Sequence, residues 1–313
     1  MRKYRIYIGI LLLFVCSIQT KGQYDPSFAH YWMMEPQYNP ASAGSTNLLR
    51  IVGAYSAQMS GYEDAPKTMY AGGDLPLFFI NPHHGAGFSF MNDELGFFSH
   101  KRFSVQYAYK FKLLGGTMSI GAQGEMLNES IDASKADVEL SGDPVFNSSK
   151  LDGSKFDAGF GIYYKHNRWY AGASALHLTA PTILMGETNE FNVNRIYYVT
   201  GGYNIQLRNP YFAICPSVFG MYDGSEYKAI VSGRVEYNNE KKSLFGGASY
   251  SPEHSVALFV GGKFKGVVLS YSYEAYTTGV GIEHGAHEII MSYEMELNLY
   301  KKGKNLHKSV RLL

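Results

Sequence analysis

Hydrophobic and polar residues alternate along most of this chain. From Phe103 the odd positions read Phe103, Val105, Tyr107, Tyr109 and Phe111, and the even ones Ser104, Gln106, Ala108 and Lys110. Side chains of a strand point to opposite faces in turn, so this segment has one apolar and one polar face. The pattern returns in Ala229, Val231, Gly233, Val235 and Tyr237 against Lys228, Ser232, Arg234 and Glu236. It returns again in Val267, Leu269, Tyr271 and Tyr273 against Ser270, Ser272 and Glu274, and in Ile289, Met291, Tyr293, Met295 and Leu297 against Glu288, Ser292, Glu294 and Glu296. Such stretches run about ten residues or longer, the length of a membrane-crossing strand, where soluble strands have about five or six. Aromatic pairs such as Tyr163-Tyr164, Trp169-Tyr170 and Tyr197-Tyr198 stand near strand ends, where an interfacial girdle belongs.

The pattern predicts about fourteen antiparallel strands, an even number as bacterial barrels require. They span 49–59, 68–77, 84–93, 97–112, 117–130, 154–165, 168–178, 194–207, 211–222, 226–238, 242–251, 254–264, 266–276 and 286–297. The expected fold class is all-β, a transmembrane antiparallel β-barrel over 49–299. With both barrel ends in the periplasm, alternate connections should be short and long. Gly115-Gly116, His166-Asn167, Arg208-Asn209, Asn238 to Lys241 and Lys265-Gly266 fall on the periplasmic side, and all are tight. The two longest connections, Ile131 to Gly153 and Thr179 to Val193, fall outside.

Composition agrees. Aromatics are 15% of the 313 residues, with 26 Tyr and 34 Gly, and charged residues only 18%. Mean hydropathy is −0.18. Past the N-terminus no apolar run is long enough for a membrane-spanning helix, whereas a barrel's alternation averages to such a value. The N-terminus reads as an export signal over 1–22. Arg2, Lys3 and Arg5 precede an apolar run from Ile6 to Ile18, and Thr20 and Gly22 set up a cut before Gln23. Cleavage rather than a retained anchor is expected. Val15 before Cys16 is a poor lipidation context, and the mature chain then keeps only Cys215, with no internal disulfide. The cut removes four basic residues (Arg2, Lys3, Arg5, Lys21) and no acidic one, leaving 24 basic against 27 acidic. No basic field for nucleic acid results. The location implied is the cell outer membrane, with its lipid as one partner.

Two stretches lie outside the strands. The tail 300–313 carries Lys301, Lys302, Lys304, Lys308 and Arg311 and is expected in the periplasm. The segment 23–48 crowds Phe28, Tyr31, Trp32, Met33, Met34 and Tyr38. Exposed to water, so many large apolar groups are a liability. They bury either in the barrel's own lumen, as a plug, or in a partner's groove. Tethering to the first strand favours the lumen. Pro26, Pro36 and Pro40 rule out one continuous helix. Gly72-Gly73, inside an apparent strand, marks a kink or a close approach to an inner segment.

No catalytic constellation stands out, and neither enzyme activity nor a cofactor or metal is expected. His83-His84 are adjacent and point opposite ways in a strand, so they read as a turn rather than metal ligands. His284 and His287 read as surface residues. Asn128, Glu129 and Asp132, or Glu139 with Asp143, lack a calcium-loop signature.

Read in order, the chain carries Asn39-Pro40-Ala41-Ser42-Ala43-Gly44, then Ala65-Pro66-Lys67-Thr68, Asp74-Leu75-Pro76-Leu77, Gly85-Ala86-Gly87, Asn92-Asp93-Glu94-Leu95-Gly96 and Gly285-Ala286-His287-Glu288-Ile289. This succession resembles the PorP/SprF family of the type IX secretion system of Bacteroidota, over nearly the whole mature chain. N-P-A-x-A-G, P-x-T and N-D-x-x-G are its most specific parts. Met59 and Ser56 depart from it, standing where the family's R-x-Q-W segment has Trp and Arg. The resemblance implies an outer-membrane barrel that docks or anchors secreted proteins bearing the type IX C-terminal sorting domain. It also implies a link to a periplasmic PorK–PorN-like ring and a peptidoglycan-binding secretion protein, or, for SprF-like members, to an adhesin and gliding. It carries over no active residues. Asn39, Pro40, Ala41, Gly44, Pro66, Thr68, Asn92, Asp93 and Gly96 become the candidates for partner contact. The alternative function is an outer-membrane channel or small-solute transporter, since about fourteen strands enclose a lumen. A plugged lumen argues for docking and an open, charge-ringed one for transport.

Overall fold

The computed structural model describes residues 25–296, apart from 63, 78–82, 133–150, 187–188, 240–241 and 279–283. The expected export signal 1–22, the basic tail 300–313, most of the long connection after Ile131, and Glu139 with Asp143 lie outside the described residues. Fourteen strands form the wall: β1 Leu48–Ala57, β2 Lys67–Pro76, β3 His84–Leu95, β4 Phe98–Leu113, β5 Gly116–Ile131, β6 Leu151–Lys165 and β7 Trp169–Leu176. The second half is β8 Ile196–Tyr203 with a short continuation at Ile205–Gln206, β9 Phe212–Tyr222, β10 Tyr227–Asn239, β11 Lys242–Ser251, β12 Ser255–Phe264, β13 Val267–Tyr276 and β14 Ala286–Glu296.

Each strand pairs antiparallel with its sequence neighbours, and β14 pairs back onto β1 from Leu48↔Glu296 to Ala57↔His287. The sheet therefore closes on itself and leaves no free edge, the condition for strands to cross lipid. Among the described residues no helix is long and apolar enough to cross a membrane.

The alternation read from sequence is the barrel's inside–outside pattern. Val105 and Val231 are 54% exposed and Met291 59%, on the outer face. Ser104, Gln106, Ser232, Ser270 and Ser292 are buried on the inner one. Tight turns at 114–115, 166–168 and 265–266 lie on one rim, and the two longest connections, after β5 and after β7, on the other. By the rule for outer-membrane barrels the short-turn rim is periplasmic, here called inner. On the outer rim the connection between β7 and β8 folds back. Its hairpin, Thr182–Met185 with Asn189–Asn192, buries Ile183, Met185 and Val193 against Leu127 of β5. The loop is therefore packed down by its apolar residues.

Candidate functional site

The barrel's interior is occupied by the chain's own N-terminal segment. Residues 25–47 run through the lumen from the outer end to the inner end, where β1 begins. Prolines break them into three short turns, Tyr31–Met33, Glu35–Tyr38 and Pro40–Ser42. Phe28, Tyr31, Met34 and Tyr38 are each only 1% exposed. They pack on an apolar patch of the inner wall that includes Val52, Met91, Tyr198, Phe219, Ile230 and Ile290. Tyr38 stacks edge-on to Phe219 at 4.8 Å, and Tyr31 lies 5.1 Å from the same ring. Each buried side chain of this size contributes about 1.5–3 kcal/mol. Trp32 and Met33 are half-buried and face the inner mouth, where Arg234 sits over the Trp32 ring at 4.9 Å.

Polar contacts fix the segment along its length. At the outer end Asp25 accepts from Arg102 Nη1 at 2.8 Å and from the Tyr198 hydroxyl at 2.6 Å. Burial works against the charge of Asp25, but Arg102 and His177 outweigh it and hold the carboxyl below its ordinary range. His177 is buried too, and Asp25 and Asp157 overcome that burial and raise its pKa well above the usual histidine value. Midway, Glu288 of β14 accepts from the Ala29 amide at 2.8 Å and pairs with the His30 ring, whose other nitrogen meets Ser270 at 2.6 Å. The Tyr31 hydroxyl meets Ser217 at 2.8 Å. Lower down, Tyr163 donates to Glu35 at 3.1 Å.

The motif Asn39 to Gly44 makes the segment's final turn. Asn39 Oδ1 accepts from the Ala41 amide at 3.0 Å, while its Nδ2 donates to the Ile162 carbonyl at 2.9 Å, clamping the turn to β6. Gly44 has φ +63°, a left-handed conformation that favours glycine. Its amide donates to Asp74, which also pairs with Arg50 at 2.9 Å, and its carbonyl accepts from Lys110. The wall gives way at glycines. A Cβ on Gly121 would stand 2.4 Å from the Ala41 backbone, and one on Gly85 2.2 Å from the Ala43 carbonyl.

Asn39, Pro40, Ala41 and Gly44, candidates for partner contact, are buried where the segment meets the wall. Gly72 and Gly73 do not receive the segment; their neighbours are Tyr70, Phe88 and the Arg50 carbonyl. The remaining candidates gather at the outer end. Thr68 donates to Asp93 at 2.6 Å, Ser99 donates to Asn92 at 3.2 Å, Gly96 forms a tight turn at φ +61°, and the Pro66 carbonyl accepts from Gln58. The structure therefore splits the motif residues between the two ends of the lumen. Of the surface histidines, His83 meets the Lys110 carbonyl at 2.7 Å and His287 the Tyr271 hydroxyl at 2.7 Å.

Sequence reading missed Asp25, Arg102, Glu125, Asp157 and His177, buried together at the outer end. Their signal was present: Arg102 lies on the polar phase of its strand, and on β5 and β6 that phase carries carboxylates. Beside the segment the inner mouth keeps clefts. One of about 380 Å³ is lined by Ser45, His83, Lys110, Lys112, Thr117 and Lys165 among others. A second of about 320 Å³ holds Arg50, Arg234, Lys263, Glu236 and Glu294. Cations predominate there.

The family model of the type IX secretion system membrane proteins PorP/SprF matches residues 20–293. No curated protein sequence matches the chain. Solved structures of similar shape include a Pseudomonas aeruginosa FadL homologue, at TM-score 0.51 and 8% identity, covering 82% of this chain and 92% of that one. The CymD monoaromatic hydrocarbon channel aligns at TM-score 0.50 and 11% identity, over 87% of this chain and 94% of that one. The Ralstonia pickettii toluene transporter TbuX aligns at 0.49 and 11%, over 85% and 93%. At such identities the likeness concerns the fold alone, that of an outer-membrane barrel.

Proposed function

The chain belongs to the PorP/SprF family of type IX secretion system membrane proteins, and from that premise we propose that it is a docking or anchoring component of the outer membrane rather than a solute channel. It would hold secreted cargo bearing a type IX sorting domain, the periplasmic ring of PorK–PorN type with its peptidoglycan-binding protein, or both.

The observation that supports this reading is the filled lumen. Phe28, Tyr31, Met34 and Tyr38 occupy an apolar patch built into an otherwise polar inner wall. A wall shaped to seat a permanent segment is at odds with a route for solutes. The inner mouth then offers a surface, not an entrance. Its exposed Lys112 and Lys165 suit an acidic face on a periplasmic partner, since opposite charge steers and orients association.

The test is a deletion strain that exports a reporter fused to a sorting domain. The reporter is expected to disappear from the cell surface and to return with the wild-type chain. Lys112→Glu with Lys165→Glu should restore it poorly and should lose co-purification with secretion components from detergent-solubilised outer membranes. Unchanged surface display, together with a lowered uptake of small solutes, would overturn docking in favour of transport.

A further inference from the structure

The buried charges at the outer end of the lumen do not close among themselves. Ligand-capable atoms of Glu125 on β5, Asp157 on β6 and His177 just after β7 lie within 4.8 Å of one another, and all three residues are buried. His177 Nδ1 stands 2.9 Å from Asp157 Oδ2 and 3.1 Å from Glu125 Oε1. A ring nitrogen carries one hydrogen and cannot serve both carboxylates. Asp157 receives it, and Glu125 Oε1 is left buried with no hydrogen bond. An orphaned, fully desolvated carboxylate oxygen is costly.

Neighbouring groups hold these atoms in place. Asp157 Oδ1 accepts from the Ala158 amide at 2.7 Å, the Thr179 amide at 3.1 Å and the Thr179 hydroxyl at 2.8 Å, so Oδ2 is the oxygen turned to the cluster. Gln123 donates to Glu125 Oε2 at 2.9 Å, which turns Oε1 inward. His177 Nε2 faces Asp25 Oδ1 at 3.5 Å, and Arg102 neutralises that carboxylate. Charge is also unbalanced. The carboxylates of Asp25, Glu125 and Asp157 face one guanidinium, that of Arg102. A divalent cation held by a neutral His177 ring brings that sum to zero.

We propose that this is a divalent-metal site that takes zinc through His177 Nδ1, Glu125 Oε1 and Asp157 Oδ2. Tetrahedral zinc with ligands at about 2.0–2.1 Å holds them roughly 3.3 Å apart, so the two spacings from His177 need to open by only a few tenths of an ångström, while the two carboxylate oxygens lie within 4.8 Å of each other. One nitrogen and two carboxylates suit zinc, whereas calcium takes six to eight oxygens. Asp25 fills the role of the carboxylate that receives the ligand histidine's other N–H and fixes its ring. The bound ion would fasten three parts together: the wall at β5 and β6, the outer loop that begins at His177, and the lumen segment that begins at Asp25.

The experiment uses the full chain purified in detergent, stripped with chelator and offered zinc. Metal is counted after desalting, and the ligand shell is read by X-ray absorption. One zinc per chain is expected, in a nitrogen and oxygen shell at about 2.0–2.1 Å and not displaced by calcium. Glu125→Gln and His177→Gln should weaken it at least about a hundredfold, and Asp25→Asn about tenfold. Heat-dependent mobility on gels reports whether each barrel is folded. Should His177→Gln not fold, Glu125→Gln decides alone, since it keeps the shape and removes the charge. A wild-type chain that takes up no zinc overturns the proposal. So does zinc held as well by Glu125→Gln as by the wild type, which would place the metal on surface histidines.

Discussion

Val231 and Ser232 are neighbours in β10 with opposite surroundings. Val231 pairs with Val218 and Tyr250 on the outer face, about midway along its strand, and is 54% exposed. Ser232 is 2% exposed and receives the Tyr31 hydroxyl at 3.2 Å. In lipid an outward charge at mid-depth is penalised. Val231→Arg should therefore cost about 2–4 kcal/mol, measured as folding into lipid vesicles against denaturant. Ser232→Ala removes one of two contacts to Tyr31 and should cost about 1 kcal/mol. Equal effects would invert the facing assignment. At this scale the sequence was legible wherever alternation was clean, because lipid and lumen impose opposite demands on successive residues. It was illegible where the phase breaks. Ile230 and Ile290 stand at polar-phase positions, and they break the pattern because they form the seat for the lumen segment. Those two exceptions were the sequence's own trace of the plug site, visible only once their strands were assigned.

Among elements, the segment 25–47 was legible in part. The crowding of Phe28, Tyr31, Trp32, Met33, Met34 and Tyr38 ahead of β1 led to the expectation of burial; four of the six are buried, and Trp32 and Met33 are half-buried. Their depth and partners were not legible, since these come from residues far along the chain, such as Glu288 for His30 and Phe219 for Tyr38. The wall glycines were misread for a related reason. Gly72-Gly73 look conspicuous as a pair, yet Gly121 and Gly85 meet the segment. A Gly121→Val change should leave the barrel closed and push the Ala41 turn off the wall. Hydrogen exchange should then quicken at residues 39–44 and remain slow in β4 to β6. Unchanged protection there would show that the close approach is not needed. The loop hairpin supports a topology test. Leu184 is 52% exposed on the outer rim and Leu114 88% at a tight turn of the inner one. Cysteine at 184 should react with an impermeant maleimide on intact cells. Cysteine at 114 should react only after the outer membrane is breached. Cys215 is buried and adds little background. The reverse pattern would turn the barrel over.

At the scale of the whole molecule, closure and filling are separate facts with separate causes. Closure follows from strand pairing, which leaves no backbone group unpaired in lipid. Filling follows from the match between the segment's apolar residues and the inner patch, reinforced by Asp25 at one end and Gly44 at the other. Removing the segment should therefore leave a wall that still closes around an emptied lumen, with Val52, Phe219, Ile230 and Ile290 newly wet. In planar bilayers the full chain is expected to show no steady conductance, and the chain lacking residues 23–44 to conduct. Gly121→Val gives an intermediate case, in which the segment is present but displaced, and it should flicker between the two levels. The segment stays tethered to β1, so its local concentration remains high and reinsertion competes with opening. If the full and shortened chains conduct equally, the segment is no barrier, and its apolar residues serve barrel stability alone. If the shortened chain conducts and secretion of sorting-domain cargo persists in cells that carry it, the plug is dispensable for docking. The inner mouth around Lys112 and Lys165 then becomes the part on which secretion depends.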